Sequence, residues 1–115
     1  MNRVCIITTK IPKITSVNLC NLIEYQNQLT NSAKTFPGYV DSMSYWKQNN
    51  NISYNKQISY KKICNISEWE SLDDWNYWLS SESRNHLQKK YNESVKSENV
   101  EILYQRHNFC DIPLL

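Results

Sequence analysis

The stretch Ile66-Ser67-Glu68-Trp69-Glu70-Ser71-Leu72-Asp73-Asp74-Trp75-Asn76-Tyr77-Trp78-Leu79-Ser80-Ser81-Glu82-Ser83-Arg84 decides how this chain is read. It runs from the end of a strand-like segment into two successive helix starts. Ser71 followed by Leu72-Asp73-Asp74 resembles a capping box. The Ser71 hydroxyl can accept from the backbone of the first turn, and the acidic side chains suit the positive end of a helix. Leu72, Trp75 and Leu79 then continue at helical spacing. Ser80 or Ser81 opens a second helix, expected to run through Val95 with Leu87, Tyr91 and Val95 in line at four-residue intervals. Three of the four tryptophans, Trp69, Trp75 and Trp78, fall in this stretch, so it should supply much of the buried aromatic surface.

Working outward, Ile58 to Trp69 is expected to be a strand, preceded by a polar, Asn-rich hairpin loop from Gln48 to Gln57. Tyr39 to Lys47 alternates as a strand should, with Tyr39, Met43 and Tyr45 on one face and Val40, Ser42, Ser44 and Trp46 on the other. Both faces are partly apolar, which suits a strand covered by helices on one side and by a partner on the other. Phe36-Pro37-Gly38-Tyr39 holds the only glycine in the chain and marks a reversal from helix into strand. From Ser16 to Lys34, Leu19, Leu22, Ile23, Leu29 and Ala33 recur at helical spacing, and Thr15 or Ser16 can cap the start. Arg3 to Thr9, with Val4, Ile6 and Ile7, reads as a buried first strand that Pro12 brings to an end. Val100 to Arg106 alternates again and makes a fourth strand. The order strand, helix, strand, strand, helix, strand is the split βαβ, ferredoxin-like arrangement: an antiparallel sheet with helices on one face. Residues 1–107 form one domain in this reading, and 108–115 a C-terminal tail.

At 115 residues and 40% hydrophobic content, the chain can build a core without disulfide or metal support. Cys5, Cys20, Cys64 and Cys110 are scattered singly, which fits free thiols, packed as small hydrophobes in a reducing compartment. No cysteine lies near His86 or His107 at ligand spacing, so no metal is expected. The run MNRVCIITTKIP is broken by Thr8 and Lys10 too early for a signal segment, and no span approaches the roughly 20 apolar residues that cross a bilayer. A cytoplasmic protein that binds no membrane is expected, and the sequons at Asn51, Asn65 and Asn92 then carry no weight. A net charge of +2 is too small for a nucleic-acid footprint. One glycine rules out a Gly-rich phosphate loop, and neither a G-x-S-x-G elbow nor a Cys/His dyad spacing is present.

Pro37-Gly38-Tyr39-Val40, then Ile66 to Ser71, Trp75 to Trp78 and Ser80 to Arg84, resemble the antibiotic-biosynthesis-monooxygenase (ABM)-like family, over about Val4 to Arg106. The resemblance implies a dimeric α+β barrel in which two four-stranded sheets face one another and each protomer keeps a pocket between sheet and helices. Dimerisation would cover Val40, Trp46 and Ile63, otherwise an exposed apolar patch. Members of that family include cofactor-independent oxygenases of aromatic polyketides and haem-degrading enzymes, and fold alone does not choose among them. For the haem-degrading branch the resemblance implies an Asn on the first strand, a Trp on the second helix and a His about ten residues later. Here Thr8, Trp78 and Gln88 fall at those positions. His86, two residues before Gln88, points about 160–200° away on a helix that turns about 100° per residue, so haem binding is disfavoured.

Trp78 and His86 are the candidate catalytic residues, and Thr8, Tyr45, Trp46, Trp69 and Arg84 the candidate pocket lining. Trp78 follows from the resemblance; His86 could serve as a base near neutral pH or simply be exposed. Arg84 could bind an acidic ligand group or form a surface ion pair. The expected function is a cofactor-independent monooxygenase, needing no cofactor, that acts as a homodimer on a small aromatic or quinol-like compound. A non-catalytic dimeric binding or regulatory module of the same fold is the alternative.

Overall fold

The structure, a computed structural model, describes residues 3–13, 16–48 and 61–104. The loop expected after Gln48, the start of the third strand, Arg106 and the 108–115 tail lie outside the described residues, as does the capping of the first helix by Thr15 or the Ser16 side chain.

The chain orders as β1 (Val4–Pro12), α1 (Ser16–Ala33), β2 (Tyr39–Gln48), β3 (Lys61–Trp69), α2 (Leu72–Leu79), α3 (Glu82–Tyr91) and β4 (Val95–Tyr104), with a short 3₁₀ turn at Asn92–Ser94. The strands form one sheet in the order β2-β3-β1-β4, and every pairing is antiparallel. This is the expected ferredoxin-like βαββαβ fold.

Both helix starts in the Trp-rich stretch are capped by serine. The Ser71 hydroxyl accepts from the Asp74 N–H, and the Ser81 hydroxyl from the Arg84 N–H. Each satisfies an N–H that has no partner within its helix, worth about 1 kcal/mol. The helical face of α1 is Leu22, Tyr25, Gln26, Leu29 and Ala33, all buried; Ile23, expected on it, is exposed. These residues pack on the sheet face made by Val4, Ile6, Ile63 and Trp69, together with Trp75, Trp78, Leu87 and Tyr91. Fully burying Trp69 alone contributes on the order of 4 kcal/mol of transfer free energy.

Several expectations are corrected. β1 does not stop at Thr9 but continues to Pro12, which sits at the strand's end beside a register shift. That extension brings Lys10 onto the buried face with Val4, Ile6 and Thr8. The helix expected to reach Val95 ends at Tyr91, and β4 starts at Val95 instead of Val100. Sheet pairing overrides helical periodicity here: Val95 lies opposite Pro12, the Lys13 N–H donates to the Ser94 carbonyl, and buried Ser94 accepts from Asn21 Nδ2.

The faces of β2 are also redistributed. Tyr39 pairs with Trp69 and Asp41 with Glu68, leaving Val40 as an extra residue. The bulge turns Tyr39 to the helix side with Ser42, Ser44 and Trp46, where its hydroxyl meets Ser42 Oγ at 2.7 Å. The patch expected at Val40, Trp46 and Ile63 is therefore not the one presented outward, because Trp46 pairs with buried Ile63 on the helix side. The outward face carries Met43, Tyr45, Ile66 and Leu103, all exposed. Of the cysteines, Cys5 and Cys64 are half-buried on that outward face, and Cys20 is exposed; all three are free and none is a fully buried core residue.

Candidate functional site

Between the helices and the inner face of the sheet lies a cavity of about 270 Å³, close to the lower end of the range usual for small-molecule sites. Its floor comes from β1 and β3. Thr8 stands opposite Asn65 and Lys10 opposite Ile63, so register sets Thr8, Lys10, Asn65 and Ser67 side by side on one face. Its roof is α1 and α2, contributing Tyr25, Leu29, Trp75 and Trp78, and β2 closes one side with Tyr39 and Ser42.

The aromatic wall is held by ring geometry and by hydrogen bonds that engage the Trp69 and Trp78 indoles. Trp69 and Trp78 stack at 5.8 Å between ring centres, and Tyr39 meets Trp69 edge-on at 5.5 Å. Such pairs contribute about 0.5–1.5 kcal/mol beyond burial. Trp69 Nε1 donates to Ser67 Oγ, and Trp78 Nε1 to Ser32 Oγ at 3.1 Å. Ser32 is not part of the lining, so Trp78 offers the cavity an apolar ring and no free donor. Asn65, only 6% exposed, spends its amide nitrogen on Ser44 Oγ at 2.9 Å and on the Met43 carbonyl at 3.3 Å.

The other end is polar. Lys10 is 2% exposed, and its ammonium donates to Gln26 Oε1 at 2.8 Å and to Thr8 Oγ1 at 3.4 Å, pairs with Glu98 at 3.6 Å, and lies 5.7 Å from the Tyr25 ring centre. Burial pushes its pKa below that of an ordinary lysine, against the pull of the Glu98 carboxylate. Burial raises the Tyr25 hydroxyl to about 12, with Glu98 adding to the effect.

Of the residues singled out from sequence, Thr8, Trp69, Trp78 and Arg84 come together around this cavity. Tyr45 and Trp46 do not; they line a separate space of about 90 Å³ beside α1. His86 is on the exposed side of α3 and lines neither, because Leu87 and Tyr91 take the helix's inward positions. A catalytic role for His86 has no geometric basis. Lys10, Asn65, Tyr25 and Glu98 are additions. The alternation that carries Thr8 inward carries Lys10 with it two residues on, and this was the available signal. Asn65 was legible only as a sequon.

No protein-family model matches the sequence, and no curated protein matches it either. Solved structures do resemble the fold. SnoaB, a cofactor-independent oxygenase from Streptomyces nogalater, superposes with a TM-score of 0.67 over 94% of this chain and 96% of its own, at 8% identity. A dimeric protein of unknown function and ferredoxin-like fold from Bacteroides fragilis gives 0.65 over 89% and 94%, at 13% identity. A Bacillus cereus protein assigned provisionally as an antibiotic biosynthesis monooxygenase gives 0.56 over 93% and 95%, at 17% identity. Sequence identities this low speak to backbone architecture alone, and on that ground the chain has the ferredoxin-like fold that its Ile66 to Arg84 stretch implied, shared with a cofactor-independent oxygenase and a dimeric protein.

Proposed function

We propose that this protein is a cofactor-independent monooxygenase that binds a small aromatic or quinol-like compound in the cavity beside Trp78 and works as a homodimer. The observation that carries the reading is the cavity itself: flat rings on its walls, polar atoms gathered at one end, and room for a compact planar molecule. In such a reaction the substrate loses a proton at an activated carbon, and the carbanion passes one electron to O2. The resulting pair combines to a hydroperoxide, which loses water to leave a carbonyl. A CH2 group and O2 thereby become C=O and H2O with no external reductant. The protein's part is to hold the ring, exclude water from the reactive anion and stabilise its charge.

Homodimer formation is supported by the outward sheet face, where Met43 is 58% and Leu103 51% exposed, as apolar surface of this kind is seldom left in water. The test is O2 uptake with anthrone under metal-free conditions. Turnover above buffer that falls in Trp78→Ala is expected; uptake equal to buffer would refute the reaction. The second reading, a non-catalytic binding module, is favoured by one observation: the Trp78 indole and the Asn65 amide nitrogen are both already engaged within the protein. Binding of anthrone without O2 uptake would select it.

A further inference from the structure

Charge at the polar end of the cavity is unbalanced. Among the lining residues the ionised groups are Lys10, Arg84 and Glu98, two cations against one carboxylate. Glu98 sits 3.6 Å from Lys10 and neutralises it. Arg84, half-buried at the start of α3, has only neutral partners: its Nη1 donates to Gln88 Oε1 at 2.9 Å and Asn85 Oδ1 at 3.5 Å. No carboxylate pairs with it among the described residues, so the surface ion pair that was one reading of this arginine is not formed there.

The Lys10 ammonium is the stronger observation. Placing an almost wholly buried lysine in a wall of tyrosine and tryptophan is costly, and a fold that needed only stability would favour an apolar residue there. Its donors are shared among Gln26, Thr8 and Glu98, two of them at 3.4 Å and 3.6 Å, long enough to be exchanged for a better acceptor. The charge of Arg84 acts on both Lys10 and Tyr25, which puts the guanidinium electrostatically at the same end.

We propose that the natural ligand is an aromatic monoanion, a fused or single ring bearing one carboxylate or one ionised enolic oxygen, whose anionic group lies between Lys10 and Arg84 while its ring lies against Trp69, Trp75 and Trp78. One negative charge brings the lining to neutrality, and a second would exceed it. The proposal rests on the reading of this cavity as a ligand site, and it adds the charge of the ligand and the residues that select it.

The experiment measures binding by tryptophan fluorescence, at neutral pH, of three probes of similar shape: 2-naphthoate, 2-hydroxy-1,4-naphthoquinone, which is ionised at its enolic oxygen, and neutral 2-naphthamide. At least one anion binds tenfold or more tightly than the amide, and the stronger of the two identifies the anionic group. Lys10→Met and Arg84→Gln each reduce that preference at least fivefold. Arg84 is only half-buried, so Arg84→Gln decides the matter if Lys10→Met fails to fold. Equal affinity for all three probes, no binding of any of them, or a preference unchanged in a folded Arg84→Gln protein overturns the proposal. Failure of O2 uptake with the anion preference intact removes the monooxygenase reading alone, whereas uptake without that preference removes this inference alone.

Discussion

Replacing Gly38 with alanine tests how the Trp-bearing helix is seated. Gly38 has φ +85°, the only positive φ among the described residues, and its carbonyl accepts from the Glu70 N–H at 2.7 Å, tying the start of β2 to the end of β3. A Cβ at this position would overlap the Asp74 carboxylate in the first turn of α2. Two costs therefore add. The left-handed backbone costs an L-residue about 1–2 kcal/mol, and forcing a methyl into occupied space costs about 1–3 kcal/mol. Gly38→Ala should lose about 2–5 kcal/mol, which in a domain of this size lowers Tm by roughly 8–20 °C. Urea unfolding followed by circular dichroism measures it. The two costs separate in a double-mutant cycle with Asp74→Gly, which removes both the carboxylate and the Cβ from the contested space but leaves the N–H of residue 74 able to bond to Ser71 Oγ. The double variant should recover about 1–3 kcal/mol relative to the sum of the single ones, leaving the backbone cost. A loss below about 0.5 kcal/mol in Gly38→Ala, or strict additivity in the cycle, would refute this account.

Trp78→Ala should cost about 3–5 kcal/mol in the same assay, since it removes a stacked, buried indole and its hydrogen bond to Ser32; a loss under 1 kcal/mol would contradict the packing. Tyr25 should ionise at about pH 12 against an ordinary value of 10, so the stability it lends is complete below pH 10 and is lost as pH rises toward 12. Phenolate absorbance of wild type minus Tyr25→Phe reads this step directly, and a difference titration centred on pH 10 would exclude it. Leu103→Glu, on the outward sheet face, should convert a dimer into a monomer by light scattering while leaving circular dichroism unchanged; a monomeric wild-type protein, or a variant that stays dimeric, would count against the interface.

The two serine-capped helix starts, the Gly38 turn and the order of strands and helices are written in local sequence. Each depends on chemistry within four or five residues: a hydroxyl near free N–H groups, a glycine where φ is positive, side-chain periods of 2 or 3.6. From these alone the ferredoxin-like arrangement follows, and with it a wall of tryptophan. Tertiary pairing decided what local chemistry leaves open. Val95 became strand because Pro12 lies opposite it, and Tyr39 changed face because a single extra residue, Val40, entered the ladder against Trp69 and Glu68. The polar end of the cavity was decided at longer range still. Lys10, Gln26, Arg84 and Glu98 come from four separate elements, and no short-range pattern joins them. A lysine two residues beyond Thr8 reads as the end of an apolar run until β1 is seen to continue between β3 and β4, because pairing on both edges is what carries its alternation, and so its charge, into the core.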